Sequence, residues 1–287
     1  MHKVKLKRLI SLIVAMIIVT SSIPPTNVFT ETNFKDIKGD EYYAKAADLL
    51  FGAGIIEGYP DGTFGADKPI TRSEMAAIVC RLEGYDTEPL KGKTPFSDIP
   101  ENHWATGYIN KASLEKIIQG DGDGKFRPDD NVLYEEAIKM IVCASGYGDE
   151  ALNKGGWMNG YLEVAEEKGI LKNVPFEKGT YAVRGAIALM LYQAATIDLA
   201  APTASVKGGT YSSAQSIVLQ TTTKDAKIYY TLDGKTPTTS SQEYTKPIMI
   251  DHSVTLKAVT VTNGVFFSQI LTENYSISRK GSGGVAV

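Results

Sequence analysis

The chain has 287 residues, of which 43% are hydrophobic and 22% charged, the make-up of a folded globular protein with room for two domains. The net charge of -3 hides an asymmetry: Lys3, Lys5, Lys7 and Arg8 all precede the first acidic residue, Glu31, so the chain beyond them carries about -7. No basic patch remains for a phosphate polymer, which excludes nucleic acid as a partner.

Residues 1–8 form a basic segment and 9–20 an almost wholly apolar run, too short to span a bilayer comfortably. Residues 1–30 therefore read as an export signal cleaved between 22 and 30, with a retained signal-anchor as the alternative. No stable membrane span is expected once the signal is removed. Cys80 and Cys143 each lie in an apolar helical run and read as two buried free thiols, with one disulfide between them as the alternative. Neither has His partners at ligand spacing, so neither a metal site nor a cofactor is expected.

Sliding the sequence by 62 residues aligns 34–85 with 96–147 without a gap. Phe34, Asp36, Ile55, Gly58, Asp61, Gly62, Phe64 and Glu74 fall on Phe96, Asp98, Ile117, Gly120, Asp123, Gly124, Phe126 and Glu136. A worn third copy occupies 150–195: Trp157 and Tyr161 match Trp104 and Tyr108, and Arg184 falls at the position of Arg72. Each copy reads as helix, loop, helix. The first helices are expected to place Tyr42, Ala46, Ala47 and Leu50 on one face, with Trp104 and Trp157 opening the same face in the later copies. The second helices carry Met75, Ile78, Val79 and Leu82, then Ala137, Met140, Ile141 and Ala144, then Ile187, Met190, Leu191 and Ala194. One such pair cannot bury its stripe alone, so the three copies are expected to pack around a shared axis.

Thr71-Arg72-Ser73-Glu74 has the form of a capping box, with Thr71 as the cap and Arg72 as the first helical residue, expected to project outward beside exposed helix amides. Asp121-Gly122-Asp123-Gly124 begins like a calcium loop, but Phe126 stands at the turn Gly and Val132 at the bidentate Glu, so tight-turn duty is the better reading. Glu135-Glu136 diverge on a helix and read as a solvated helix N-terminus, not an acid/base pair. His103 and His252 have no nucleophile or carboxylate in a catalytic pattern around them.

The combination of F-x-D-I, the first-helix aromatic, G-x-x-x-G-x-P-D-G-x-F and I-T-R-x-E resembles the S-layer homology repeat over roughly 34–195. The resemblance implies an all-α, three-repeat, pseudo-threefold bundle on an exported bacterial protein, with grooves between repeats that bind secondary cell-wall polysaccharide, commonly through a pyruvylated sugar. The implied groove positions hold Asp36, Tyr42 and Arg72, then Asp98, Trp104 and Tyr134, then Ala151, Trp157 and Arg184. Tyr134 replaces the Arg of the second repeat, and the third lacks the Asp and the motif's Glu, which is Ala186, so fewer or weaker sites are expected than in a fully matched set. Trp104 and Trp157 are open to two readings, core packing and groove, since large aromatics serve both.

After Asp198 the texture changes to Thr, Ser and Val. Residues 217–222, 227–232, 248–250, 254–261, 265–268 and 271–277 read as strands, with Asn263-Gly264 as a hairpin turn, and predict an immunoglobulin-like sandwich. The run from Ile228 through Ile250, with its Y-T-x-D-G-x-x-P core, is similar to the chitobiase C-terminal domain over 202–277. That domain brings no catalytic residue; Tyr229, Tyr230 and Tyr244 are as readily half core and half surface as a sugar platform. Residues 278–287 read as a linker-like tail. The expected function is a non-catalytic surface anchor, held by secondary cell-wall polysaccharide or peptidoglycan-associated glycans and displaying the sandwich. The alternatives are the anchoring arm of a glycoside-active enzyme whose catalytic part is absent, and a self-assembling S-layer structural protein.

Overall fold

Helical periodicity before residue 196 resolves into seven α-helices in the computed structural model, which describes residues 32–262, 264 and 266–278. They are α1 (Ala44–Gly52), α2 (Arg72–Leu82), α3 (Thr106–Leu114), α4 (Tyr134–Ala144), α5 (Gly148–Asn153), α6 (Asn159–Glu167) and α7 (Arg184–Thr196). The leader expected over 1–30 lies outside the described residues, as does the expected tail from residue 279 on. None of the described helices is long and apolar enough to cross a membrane. The chain divides into two units, Met1–Ala195 and Thr196–Val287.

In the first unit the apolar stripes bury as their spacing dictates: Ala46, Ala47 and Leu50 on α1, Met75, Ile78 and Val79 on α2, and Ile187, Met190 and Leu191 on α7. The opening aromatics depart from expectation. Tyr42, Trp104 and Trp157 each stand two residues before α1, α3 and α6 begin, off the buried stripe. The short helix α5 replaces the F-x-D segment of the third copy and carries the fully buried Ala151, whose carbonyl occupies the space a Cβ on Gly160 would fill. Cys80 is buried and Cys143 half-buried, and both are free thiols.

The two motifs of each early copy hold one another. Phe34 packs on the buried Phe64 at 5.1 Å between ring centres, and Phe96 on Phe126 at 5.3 Å. Asp36 accepts the Phe64 and Gly65 amides at 2.7 and 2.8 Å, and Asp98 accepts those of Phe126 and Arg127 at 2.9 and 2.7 Å. A Cβ on Gly58 would run into the Phe34 ring, and one on Gly120 into Phe96, so glycine is the residue that lets ring and loop meet.

Between the copies, three fully buried residues close a ring of backbone hydrogen bonds: Ile70 N–H to the Ala182 carbonyl (3.1 Å), Ala182 N–H to Val132 (2.8 Å), and Val132 N–H to Ile70 (2.9 Å). Each link joins a different pair of the three segments immediately before α2, α4 and α7. Around this ring α2 packs on α3 and α4 on α6, while Lys45 of α1 faces Tyr192 of α7.

The second unit is built from strands: β1 (Thr203–Ala204), β2 (Gly209–Tyr211), β3 (Gln215–Ile217), β4 (Leu219–Gln220), β5 (Lys227–Thr231), β6 (Gln242–Glu243), β7 (Ile248–Ile250), β8 (Val254–Thr262), β9 (Phe266–Phe267) and β10 (Leu271–Ile277). The main sheet runs β2-β10-β8-β5-β6, with β9 paired to β8, and β2 lies parallel to β10 while the other pairings are antiparallel. The strand expected over 217–222 is split: β3 pairs with β7 and β4 with β1, so the chain changes partner at Val218. Ile228, Tyr230, Ile250, Leu256, Ala258 and Tyr275 form the buried core. Tyr230 is in that core and Tyr229 and Tyr244 are half-buried, so the three tyrosines do not form one exposed platform.

Candidate functional site

The two arginines singled out from sequence do not project into solvent. The Arg184 guanidinium donates from Nε to the Phe64 carbonyl (3.0 Å) and from Nη2 to the Glu57 carbonyl (2.5 Å), and the residue is only 4% exposed. Arg72 makes the equivalent bonds one segment further on, from Nε to Phe126 (2.7 Å) and from Nη2 to Gln119 (3.1 Å), and its Nη1 pairs with Glu136 at 3.1 Å. The planar fork of arginine suits two carbonyls at once, which is why both positions clip a neighbouring loop. The helix amides are occupied as well. Arg72 and Ser73 donate to the Asp130 and Pro128 carbonyls, Glu74 donates to the Thr71 hydroxyl, and Arg184 and Gly185 donate to Lys68 and Ala66. The expected exposed amides for an anion are therefore absent at these two helix starts, because the adjacent segment takes them.

The capping box of α2 is as expected, with the Thr71 amide donating to Glu74 at 2.9 Å. At α4 Leu133 has no acceptor, and only the return bond remains, Leu133 N–H to Glu136 Oε2 at 3.0 Å. Glu136 thus serves its own helix with one oxygen and Arg72 with the other. Its neighbour Glu135 is not solvated: it is buried and accepts the Gly179 amide at 2.7 Å. Asp121 and Asp123 pair with Arg127, and Asp123 also accepts the Lys125 amide at 3.1 Å.

Asp36 and Asp98 have both carboxylate oxygens engaged by loop amides, and neither lines the two clefts described below. Partial burial pushes each carboxyl up, but the amide bonds outweigh it and hold both below the usual aspartate value. Both carboxylates thereby hold the loop that follows them in space.

The aromatics behave differently. Tyr42, Trp104 and Trp157 keep 44%, 52% and 58% of their surface exposed, which decides against core packing. Trp157 lines a cleft of about 300 Å³ together with Arg72, Gln119, Gly120, Asp121, Glu136 and Lys139. A second cleft of about 230 Å³ shares Arg72, Asp121 and Glu136 and ends at the exposed Tyr181. The expected grouping by repeat is therefore rearranged: Arg72 of the first copy meets Trp157 of the third over the loop and helix of the second. Burial first, then the nearby Tyr134 of the second copy, pushes the Tyr42 hydroxyl up to about 12. Tyr134 itself is buried, its ring 5.9 Å from Phe176.

Lys139 was not among the expected site residues. Its Nζ lies 5.7 Å from the Trp157 ring centre and donates to Gln119 Oε1 at 3.0 Å. It sits off the apolar stripe of α4, so periodicity passes over it. The signal that marks it is the comparison between copies, where the equivalent positions hold Ala77 and Leu189. The cleft offers an indole face, an ammonium and a floor of paired charges. That combination suits a sugar with an acidic substituent and contains no nucleophile–base pair.

The S-layer homology domain profile matches residues 33–76 and 95–138, and that of the chitobiase/beta-hexosaminidase C-terminal domain matches 206–272. The chain is 34% identical over 197 residues to a "Cell surface protein" of Thermoanaerobacter kivui, covering 68% of this chain and 25% of that one. It is 35% identical over 164 residues to the "Middle cell wall protein" of Brevibacillus brevis, covering 56% and 15%. A "Cellulosome-anchoring protein" of Acetivibrio thermocellus is 37% identical over 111 residues, covering 38% and 25%. The chain thus spans a quarter or less of these relatives. The matched domains and these relatives assign it an exported, cell-surface location. It carries S-layer homology domains in its helical part, followed by a chitobiase/beta-hexosaminidase C-terminal domain.

Proposed function

We propose that this chain is a non-catalytic cell-wall anchor: its helical unit binds secondary cell-wall polysaccharide and its strand unit is displayed as an accessory β-sandwich. The observation that carries the reading is the cleft between Trp157, Lys139 and the Arg72–Glu136 pair, an exposed aromatic face beside a cation on a rigid floor. The ring of hydrogen bonds through Ile70, Val132 and Ala182 supports a pseudo-threefold bundle in which each groove draws on all three copies. In that arrangement Trp104 serves with Arg184, and Tyr42 with Tyr134, as lesser grooves, while Asp36 and Asp98 hold the loops that shape them. The ligand we propose is an acidic sugar of the pyruvylated kind. The relatives named as surface, wall and anchoring proteins support the same role.

Co-sedimentation with cell-wall sacculi tests the reading. The chain is expected to pellet with intact sacculi and to stay in solution once the wall polysaccharide has been extracted from them. Equal pelleting with stripped sacculi would move the binding to peptidoglycan and overturn it.

A further inference from the structure

We propose that Lys139, and not Arg72, contacts the acidic group of the wall glycan, while Arg72 is a positioning residue that fixes the floor of the cleft. The assignment rests on the wall-glycan reading above and sharpens it to one side chain. Three of the five N–H groups of Arg72 are engaged by the Phe126 and Gln119 carbonyls and by Glu136, which also neutralises its charge. Moving the guanidinium to a ligand would release those two carbonyls and the Glu136 carboxylate together. The other lining carboxylate, Asp121, is paired with Arg127. Once these two pairs are set aside, the uncompensated charge of the cleft is the ammonium of Lys139.

Among the described residues no carboxylate pairs with Lys139; its hydrogen-bond acceptor is the neutral Gln119 side chain, and it faces the rings of Trp157 and Tyr161 at 5.7 and 5.9 Å. An ammonium has three donors, and a carboxylate is a far stronger acceptor than an amide, so a ligand acid can join or replace Gln119 without disturbing the fold. A sugar lying against the Trp157 indole brings an acidic substituent within reach of Nζ. The lysine occurs in one of the three copies, Ala77 and Leu189 standing at the other two positions. Discrimination for an acidic over a neutral glycan is therefore concentrated in this cleft.

The test measures binding of the full chain to purified wall polysaccharide by calorimetry, with native glycan and with glycan whose carboxyl groups have been reduced to alcohols. Lys139→Met is expected to lose about tenfold in affinity for the native glycan, the scale of one charge-assisted hydrogen bond. Against reduced glycan it should match the unaltered chain, and Lys139→Arg should keep most of the affinity for the native form. Wild-type affinity of Lys139→Met for native glycan overturns the assignment alone. The same loss against both glycans also overturns it, since the lysine would then be shaping the cleft. No binding of either glycan by the unaltered chain overturns the wall-glycan reading together with the assignment.

Discussion

Replacing Arg184 by alanine separates a structural arginine from a ligand-facing one. The side chain is buried and donates to the Phe64 and Glu57 carbonyls, and its guanidinium stacks on Tyr59 and Phe64 at 5.0 and 5.1 Å. Leaving the buried Phe64 acceptor unsatisfied costs about 1–3 kcal/mol, the part-buried Glu57 bond adds about 1 and the lost stacking about 0.5–2, together about 3–6 kcal/mol. At about 2–4 °C per kcal/mol for a domain of this size, the melting temperature of the helical unit should fall by about 6–24 °C. That is a large fraction of the about 5–15 kcal/mol by which domains are stable. Thermal unfolding followed by circular dichroism at 222 nm reads the helical unit selectively. Arg184→Lys should recover only part of the loss, because an ammonium does not reproduce the fork. A fall below about 2 °C for Arg184→Ala would refute the reasoning and return Arg184 to the surface.

Three further outcomes follow from the same geometry. The folded-state pKa values of Asp36 and Asp98 lie below their unfolded values, so their contribution is present above the unfolded value and is lost as pH falls through the folded one. The double variant Asp36→Asn, Asp98→Asn should therefore melt lower at pH 7 and show a shallower decline between pH 5 and pH 2; an unchanged acid limb contradicts this. Gly120→Ala would place a Cβ 2.6 Å from the Lys125 carbonyl and against the Phe96 ring, and should destabilise by about 1–3 kcal/mol in a denaturant titration. An unchanged midpoint would show that the loop gives way. Burial pushes the Cys80 thiol up to about 12, so it should resist a thiol reagent at pH 8 in the native state and react on unfolding; rapid native labelling of Cys80 would contradict the packing.

Much of the helical unit was legible because its signals are local. The i, i+3, i+4 stripes and the Thr71–Glu74 box each lie within one copy, where spacing alone decides the face or the cap, and the 62-residue register repeats them without a gap. The strands β5, β7, β8 and β10 were visible for the same reason, while β1, β2 and β6 are two or three residues long and exist through their partners. What spacing could not give was the direction of Arg72 and Arg184. Their acceptors are backbone carbonyls, which carry no side-chain signature, on segments 47 to 127 positions away. The aromatics were misplaced by two residues because a helix start has no mark there: Tyr43, Ala105 and Met158 form no side-chain cap. Lys139 was missed because it lies off the apolar stripe, and its role depends on a tryptophan from another copy.

The central claim is that wall glycan settles in the cleft at Trp157, and tryptophan emission tests it directly. The chain has two tryptophans, so Trp104→Phe leaves Trp157 as the sole indole. Titrating that chain with purified wall polysaccharide should give a saturable blue shift whose midpoint matches the affinity measured by calorimetry. Calorimetric binding with no change in Trp157 emission would contradict the account and place the glycan elsewhere on the protein.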